Sequence, residues 1–499
     1  MSTMPAVVRP ALDAADSTSR LLATLPTGLH IGGEWGPAQG NATFEVLNPA
    51  TGEIVTSVAD GSVDDGRRAL DAAVAAQPSW AATDPRERGE ILRTAFEALT
   101  DRADEFAALM TLEMGKPLAE ARGEVTYGAE FFRWFSEEAV RIAGRYAVAP
   151  SGGTRLLTMK QPVGPTLMIT PWNFPLAMGT RKIGPAIAAG CTMVVKPAHE
   201  TPLTMLALAQ VLEEAGVPAG VVNVLPTAHA GAVMEPLIRD PRARKLTFTG
   251  STAVGRALVE QSAEQLLRVS MELGGNAPFI VFEDADLEKA VDGAMLAKMR
   301  NIGEACTAAN RMYVHASIAD EFTERLAQRM AALTVGDGSA AGVDVGPLIT
   351  PAAIEKVTEL VSDALSRGAT TVVGGAALDG PGNFYAPTVL ADVPADARVL
   401  REEIFGPVAP VATFRDEAEA LALANGTEYG LVAYVFTRDA SRVIRVSEGL
   451  EFGMVGVNQG IVSNPAAPFG GVKQSGFGRE GGAEGIEEYL ETKYVGWAL

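Results

Sequence analysis

Short apolar runs alternate with helix-like segments from residue 164 onward, and this alternation constrains the fold more than any other feature. Four strand-like runs are found at GPTLMITP, TMVVKP, VVNVLP and KLTFTG. Helical segments that end in glycine separate the first three, at RKIGPAIAAG and TPLTMLALAQVLEEAG. Strands separated by single helices form parallel βαβ units, so the chain is predicted to be an α/β protein.

A second alternating block begins at NAPFIVF and continues through most of the remaining chain. With 499 residues the chain is too long for one compact core, so two or three domains are expected. The segment RYAVAPSGGTRLLTMKQPVG has a Ser-Gly-Gly turn between two extended runs, which predicts a hairpin near residues 145–161. The C-terminal residues GIEEYLETKYVGWAL are interpreted as a short helix followed by an extended tail.

Charge and cysteine content narrow the functional classes. There are 41 Lys and Arg against 61 Asp and Glu, a net charge of −20 that argues against nucleic acid or an anionic membrane as partner. Two cysteines and four histidines offer no close metal-ligand pair, so no metal is expected. The uncharged span 161–180 carries four prolines, which disfavours a membrane helix. Free thiols and a leader over the first ~20 residues without a secretory signal predict a cytoplasmic protein.

Cys306, in MRNIGEACTAANR, is a candidate nucleophile. Gly303 and several small neighbours would let a substrate approach closely, but a cysteine attacks as the thiolate and needs a base or a positive environment. The alternative is a buried structural cysteine. Cys191 lies in the apolar run AAGCTMVV and is assigned to the core.

Three further segments could contribute to a reaction. Glu272, in SMELGGNAP, could be a general base shifted upward in pKa by burial, or a loop carboxylate. Asn173, in TPWNFP, could donate to a developing oxyanion, or could be a turn residue. FTGSTAVG places Gly250 and Ser251 at a helix N-terminus, which is able to bind an anion.

Seven motifs occur in a fixed order: TPWNFP, VVKP, FTGSTAVG, MELGG, Gly-x-x-Cys, EEIFGP and PFGGVKQSGFGRE. In this order and at these separations they resemble the aldehyde dehydrogenase superfamily, over essentially the whole chain after residue 25. The resemblance implies that Cys306 attacks the aldehyde carbon and that Glu272 activates the hydrolytic water. It also implies that Asn173 donates to the oxyanion and that Lys182 assists proton movement.

The resemblance further implies NADP or NAD as cofactor. The implied contacts are Thr170, Pro171, Trp172, Lys196, His199, Gly250, Ser251, Glu403 and Phe405. Members that prefer NAD commonly have Glu three residues after the Lys, where this chain has His199. An imidazole would not repel a 2′-phosphate, which favours NADP, unless Glu200 takes the ribose instead.

Within the superfamily, Arg181, Arg300 and Ser463 match the residues that bind the substrate carboxylate in succinate-semialdehyde dehydrogenases. A guanidinium pair suits a carboxylate, although either Arg could instead form an internal salt bridge, with Glu304 as one possible partner. Glu304 replaces the usual Gln and is expected to point away from the thiol or to pair with Arg. Ala308 stands where some relatives have a second Cys, so a redox-switch disulfide is not expected.

The resemblance thus predicts a Rossmann-like dinucleotide-binding domain over 25–140 and 160–273, an α/β catalytic domain over 274–465, and a small β oligomerisation element from 141–159 and 484–499. Since an added hairpin would expose strand edges, a homodimer or homotetramer is predicted. The expected activity is oxidation of succinate semialdehyde to succinate through Cys306. The alternatives are an aldehyde dehydrogenase for glutarate semialdehyde or an uncharged aldehyde, and a non-catalytic protein on the same fold.

Overall fold

Strands whose residues are apolar on both faces lie at the centre of two separate sheets, because helices cover both sides of each. The computed structural model describes residues 22–498. Within them the strands are β1 (Leu29–Ile31), β2 (Glu34–Gly36), β3 (Thr43–Leu47), β4 (Ile54–Ala59), β5 (Arg145–Val148), β6 (Thr154–Pro162), β7 (Thr166–Ile169), β8 (Met193–Lys196), β9 (Val222–Val224), β10 (Lys245–Thr249), β11 (Arg268–Glu272), β12 (Ala277–Val281), β13 (Ala309–His315), β14 (Thr370–Val373), β15 (Thr388–Ala391), β16 (Val408–Phe414), β17 (Val432–Phe436), β18 (Met454–Val457), β19 (Gly476–Phe477) and β20 (Leu490–Ala498).

The α-helices pack on the faces of these sheets. They are α1 (Val63–Ala82), α2 (Pro85–Asp101), α3 (Ala103–Met114), α4 (Leu118–Glu138), α5 (Ala177–Ala189), α6 (Leu203–Glu214), α7 (Ala230–Ile238), α8 (Thr252–Ser262), α9 (Leu287–Met299), α10 (Ala319–Ala331), α11 (Pro351–Ser366), α12 (Glu417–Asn425), α13 (Ala440–Gly449) and α14 (Glu484–Glu487). No helix within residues 22–498 combines the length and apolarity needed to cross a membrane.

The first sheet has the strand order β19-β11-β10-β7-β8-β9-β1-β2. Its five central strands are parallel, and antiparallel strands close both edges. Strands β8 and β9 lie on one side of β7, and strands β10 and β11 lie on its other side. The strand order therefore reverses between β7 and β10, and a crevice at their carboxyl ends is where an open α/β sheet binds its ligand.

Helices α2 to α6 pack on one face of this sheet, and α1, α7 and α8 on the other. Helix α5 is buried along its whole length, including Arg181 and Lys182. Two adjacent cations in a fully buried helix require partners, because an isolated buried charge is strongly disfavoured. Helix α5 therefore marks where charge must be balanced in the first unit, which consists of the first sheet and the helices that cover it.

The second sheet has the order β14-β15-β16-β13-β12-β17-β18, parallel except for the edge strand β14. Helices α9, α10 and α11 cover one face, and α12 and α13 the other. The alternating block predicted from NAPFIVF onward thus forms a second α/β unit. Its strand β13 begins three residues after Cys306, so the amino end of this sheet faces the carboxyl end of the first.

The predicted hairpin is present as β5 and β6, and β20 pairs with β6 along nine residues to give a three-stranded sheet. Strand β6 runs to Pro162, so the predicted boundary between 159 and 160 cuts through it. The segment 484–499 is predicted to belong to the oligomerisation element, but Ile486 and Tyr489 near its start pack in the core of the first unit. The predicted leader, residues 1–20, lies outside the described residues.

Candidate active site

Glu272 ends β11, and the two glycines that follow let three segments of the chain meet. A Cβ built on Gly275 would lie 2.3 Å from the carbonyl oxygen of Cys306. A Cβ on Gly274 would lie 3.1 Å from Oε2 of Glu403. The MELGG motif therefore brings a carboxylate, a thiol and a second carboxylate to the interface of the two sheets.

A strained turn delivers Cys306 to this interface. After α9 the residues Asn301, Ile302 and Gly303 have φ values of 53°, 63° and 79°. Positive φ is unusual for a β-branched residue such as Ile302, so the surrounding structure must hold the turn. One restraint is Glu120, whose Oε2 accepts a hydrogen bond from the Asn301 amide at 2.8 Å.

Asn173, in the loop after β7, is tied directly to the turn. Its Nδ2 donates to the Glu304 carbonyl at 3.0 Å. The Asn301 side-chain amide bridges the Asn173 carbonyl at 3.0 Å and the Glu304 carbonyl at 2.9 Å. A primary amide has two hydrogens, so Asn173 keeps a second donor for an oxygen beside Cys306.

Burial raises the pKa of both groups predicted to exchange protons. Burial raises the pKa of the Cys306 thiol to about 12; Arg181 opposes the rise, while Glu403 and Glu272 add to it. Burial, reinforced by Glu480, raises the pKa of Glu272 well above its usual range. Within residues 22–498, Oε2 of Glu272 is buried without a hydrogen-bond partner, so this carboxyl group is available to a molecule in the site.

Glu480 balances the two cations of α5. It forms ion pairs with both Arg181 and Lys182, and all three side chains are at most 5% exposed. Lys182 also donates to Oγ1 of Thr247 at 3.2 Å. The two cations outweigh burial and lower the pKa of Glu480. Sequence reasoning did not assign a role to Glu480, although it is the last residue of the motif PFGGVKQSGFGRE.

Glu304 differs from expectation in its partner. Its side chain points away from the thiol, but Oε1 accepts from the Ile349 amide at 3.1 Å rather than pairing with Arg. Its Oε2 has no partner within residues 22–498. Burial raises the pKa of Glu304 well above its usual range, which favours the neutral form that resembles the usual Gln. The internal salt bridge of Arg181 is therefore made with Glu480, not with Glu304.

The three residues predicted to hold a carboxylate lie together beside the thiol. Arg300 donates to Oγ of Ser463 at 3.1 Å, and its guanidinium carbon lies 4.9 Å from the centre of the Phe174 ring. Arg181 uses one side of its guanidinium for Glu480, whereas its Nη2 has no partner within the described part of the chain. Both cations lower the pKa of Cys306, against the larger effect of burial.

The crevice between β7 and β10 gathers most residues predicted to bind the cofactor. Thr170, Pro171 and Trp172 follow β7, Lys196 ends β8, and Gly250 and Ser251 follow β10. Ser251 caps α8 by accepting from the Val254 amide at 3.4 Å. Oγ1 of Thr249 is buried there without a partner in residues 22–498. Free amides at the start of an 11-residue helix suit a pyrophosphate.

The remaining predicted contacts flank this crevice. Burial lowers the pKa of Lys196 to about 8, against the opposing charge of Glu200. His199 is half exposed, and its Nδ1 lies 3.2 Å from Oε2 of Glu200. The phenyl ring of Phe405 meets the indole ring of Trp172 edge-on, with 5.4 Å between ring centres.

Glu403 lies on the side of the crevice nearest the thiol, with Oε1 accepting from the Gly275 amide at 3.0 Å. A carboxylate here can accept from ribose hydroxyls, and the helix start and Lys196 can hold phosphate. The orphaned Thr249 hydroxyl adds one more polar group. The residues present therefore fit a nicotinamide dinucleotide, which Lys196, the start of α8 and Glu403 would hold.

The chain matches the aldehyde dehydrogenase family over residues 35–495 and belongs to that family. The prediction of an aldehyde dehydrogenase is thereby confirmed. The chain is 60% identical over 445 residues to a succinate-semialdehyde dehydrogenase of Paenarthrobacter nicotinovorans, covering 89% of this chain and 99% of that protein. It is 52% identical to a glutarate-semialdehyde dehydrogenase of Pseudomonas putida, covering 93% and 96%. The crystal structure of an E. coli NADP-dependent enzyme superimposes with a TM-score of 0.94 at 53% identity, covering 96% and 99%.

Proposed function

We propose that this protein oxidises succinate semialdehyde to succinate with NADP. The observation that carries the proposal is the unpartnered Nη2 of buried Arg181, which lies with the Arg300–Ser463 pair beside Cys306. The 60% identity to a protein named succinate-semialdehyde dehydrogenase supports the same substrate. A short aldehyde with a carboxylate at its far end satisfies both ends of such a site.

In the first half of the reaction, Cys306 forms the new bond to the aldehyde carbon. The thiol proton passes to water as sulfur attacks, and the carbonyl oxygen becomes an oxyanion that accepts from the free amide hydrogen of Asn173. Bound NADP would supply the acceptor for the hydride. Loss of hydride leaves a thioester between Cys306 and the acyl group.

In the second half, Glu272 serves as the base. A carboxyl group whose pKa is raised toward the working pH is a stronger base than an ordinary carboxylate. It takes a proton from water as the water oxygen attacks the thioester, and the C–S bond breaks to release the acid and the Cys306 thiolate, which regains its proton from water. Glu480 raises and Lys182 lowers the pKa of Glu272, so these two charges set how readily Glu272 takes up and gives up the proton.

The cofactor preference follows from the charge around Lys196. His199 takes the place where a carboxylate would repel a 2′-phosphate, and it engages the carboxylate of Glu200 at 3.2 Å. This leaves Lys196 as a cation available to that phosphate. The structural similarity to an E. coli NADP-dependent enzyme agrees with this choice.

Glutarate semialdehyde is the second candidate substrate. It has the same functional groups as succinate semialdehyde with one more methylene, and a relative at 52% identity is named for it. One methylene changes specificity only modestly, about 10- to 200-fold. The two substrates must therefore be separated by their kcat/KM values.

A homodimer or homotetramer formed through the three-stranded sheet, located in the cytoplasm, completes the proposal. This sheet exposes the aromatic side chains Tyr146, Tyr494 and Trp497, each about 60% exposed. Both β5 and β20 are edge strands, which commonly pair or pack with another chain. Light scattering at micromolar concentration that gives a monomer would refute the assembly.

The test is an initial-rate matrix read at 340 nm: succinate semialdehyde, glutarate semialdehyde and butanal, each with NADP and with NAD. We expect the highest kcat/KM for succinate semialdehyde with NADP. Arg300→Ala should lower this value and leave butanal unchanged, and Cys306→Ala should abolish all turnover. Equal rates on butanal and succinate semialdehyde in the wild type would overturn the substrate assignment.

A further inference from the structure

The hydroxyl of Tyr127 is a polar group that the proposed reaction does not yet use. Helix α4 carries Tyr127 into the space beside the thiol. Its ring packs edge-on against Phe131, with 5.0 Å between ring centres, and the Arg300 guanidinium carbon lies 5.5 Å from the ring centre. The ring is thus held on two sides, and its oxygen has a defined position.

This oxygen is buried; the Ser463 hydroxyl lies near it, but no group within residues 22–498 meets it in full hydrogen-bond geometry. A buried hydroxyl without a partner is destabilising, so the position calls for a ligand or a functional reason. Burial raises the pKa of Tyr127, opposed by the facing groups Arg181, Arg300 and Ser463 and reinforced by Glu480. Tyr127 therefore keeps its proton at neutral pH and can donate it.

Arg181, Arg300 and Ser463 face this oxygen and can donate, whereas the nearby acceptor Glu480 is already paired with Arg181 and Lys182. Arg181 offers the free Nη2. The Ser463 oxygen already accepts from Arg300, which leaves the Ser463 hydroxyl hydrogen available. A carboxylate has two oxygens and about four lone-pair directions, so it can accept from all of them together.

We infer that Tyr127 is a specificity-determining residue that donates its hydroxyl hydrogen bond to the carboxylate of the substrate. The inference rests on the proposed function, because it requires a substrate that carries a carboxylate. Tyr127 would add a neutral hydrogen-bond donor to the two cations Arg181 and Arg300. A neutral donor held rigidly by its ring fixes the depth at which the carboxylate sits, and hence the distance between the aldehyde carbon and Cys306.

The test is Tyr127→Phe, which removes one oxygen and keeps the ring contacts with Phe131 and Arg300. A hydrogen bond to a charged group corresponds to a loss of about 10- to 100-fold in kcat/KM for succinate semialdehyde. We expect the loss mainly in KM and no change in kcat/KM for butanal. The inhibition constant of succinate should rise by a similar factor, which gives a readout that does not depend on turnover.

Tyr385→Phe is the matched control. Tyr385 also has a buried hydroxyl without a partner in the described residues, but it packs in the core of the second unit. This variant should treat succinate semialdehyde and butanal as the wild type does. Equal losses on both aldehydes in Tyr127→Phe would show a structural role and overturn the inference.

The same experiment separates the inference from the proposed function. A wild type that prefers succinate semialdehyde, with a Tyr127→Phe variant that keeps the full preference and the succinate affinity, would overturn the role of Tyr127 alone. A wild type without preference for succinate semialdehyde over butanal would overturn both statements.

Discussion

Gly275 offers a direct test of how tightly the thiol must be placed. Its φ is outside the left-handed region, so alanine is conformationally allowed there. The added Cβ would nevertheless lie 2.3 Å from the Cys306 carbonyl oxygen, where ordinary contacts begin at 3.4 Å. Gly275→Ala must therefore move the Cys306 backbone or its own by about 1 Å, a displacement of the size that costs about 100-fold in rate.

The expected result is a fall in kcat of about 100-fold at saturating aldehyde and cofactor, followed at 340 nm. Cofactor affinity, measured by titration of intrinsic fluorescence, should fall less than kcat, because Glu403 on the Gly275 amide is disturbed while Lys196 and Ser251 are not.

Gly231→Ala is the matched control, since a Cβ at this position in α7 meets nothing within 4 Å. It should keep wild-type kcat, and its unfolding temperature should stay the same or rise, because alanine favours helix. A folded Gly275→Ala protein with kcat within about threefold of the wild type would refute the steric argument.

Three further outcomes follow from buried titratable groups. Glu304→Gln keeps an acceptor for the Ile349 amide and removes an ionisable group. Because folding raises the pKa of Glu304, its contribution to the stability of the wild type is lost as pH rises. The unfolding temperature of the variant should therefore increase relative to that of the wild type between about pH 5 and pH 8. A difference that stays constant over this range would contradict the prediction. Alkylation of Cys306 by iodoacetamide should accelerate with pH without a plateau below about pH 10, since its pKa is about 12, and mass spectrometry should find Cys191 unmodified because it is fully buried. The affinity for NADP should fall as pH passes about 8, where Lys196 loses its charge. The Lys196→Arg variant should lack this pH dependence. A fall of equal size in the wild type and the variant would exclude Lys196 as its origin.

Features with a local signature could be predicted from the sequence. The apolar run before Glu272 and the glycines after it indicate a strand end, and Glu272 does end β11. Ser251 follows a strand and precedes a helical pattern, and it does cap α8. The Ser-Gly-Gly turn gives the hairpin of β5 and β6. In each case the physical cause acts over a few residues.

Contacts between distant segments could not be predicted in the same way. Glu480 is almost 300 residues from Arg181 and Lys182, so no spacing in the chain relates them. Tyr127 has the spacing of a core-facing aromatic on an amphipathic helix, and only the fold reveals that its hydroxyl lacks a partner. The upward shift in the pKa of Glu304 comes mainly from its burial, which no local pattern in the sequence indicates.

The return of the chain to the first sheet has a consequence for synthesis. Strand β19 pairs with β11, and Glu480 forms its ion pairs with the two cations of α5, only after the whole second unit has been made. Although domains generally fold as units from the N-terminus during synthesis, the first unit here cannot reach its final state early. Until the last residues leave the ribosome, it must keep α5 hydrated or bury two uncompensated cations. The first unit thus waits for the residues from Gly476 onward, and truncation at the C-terminus damages the part that was translated first.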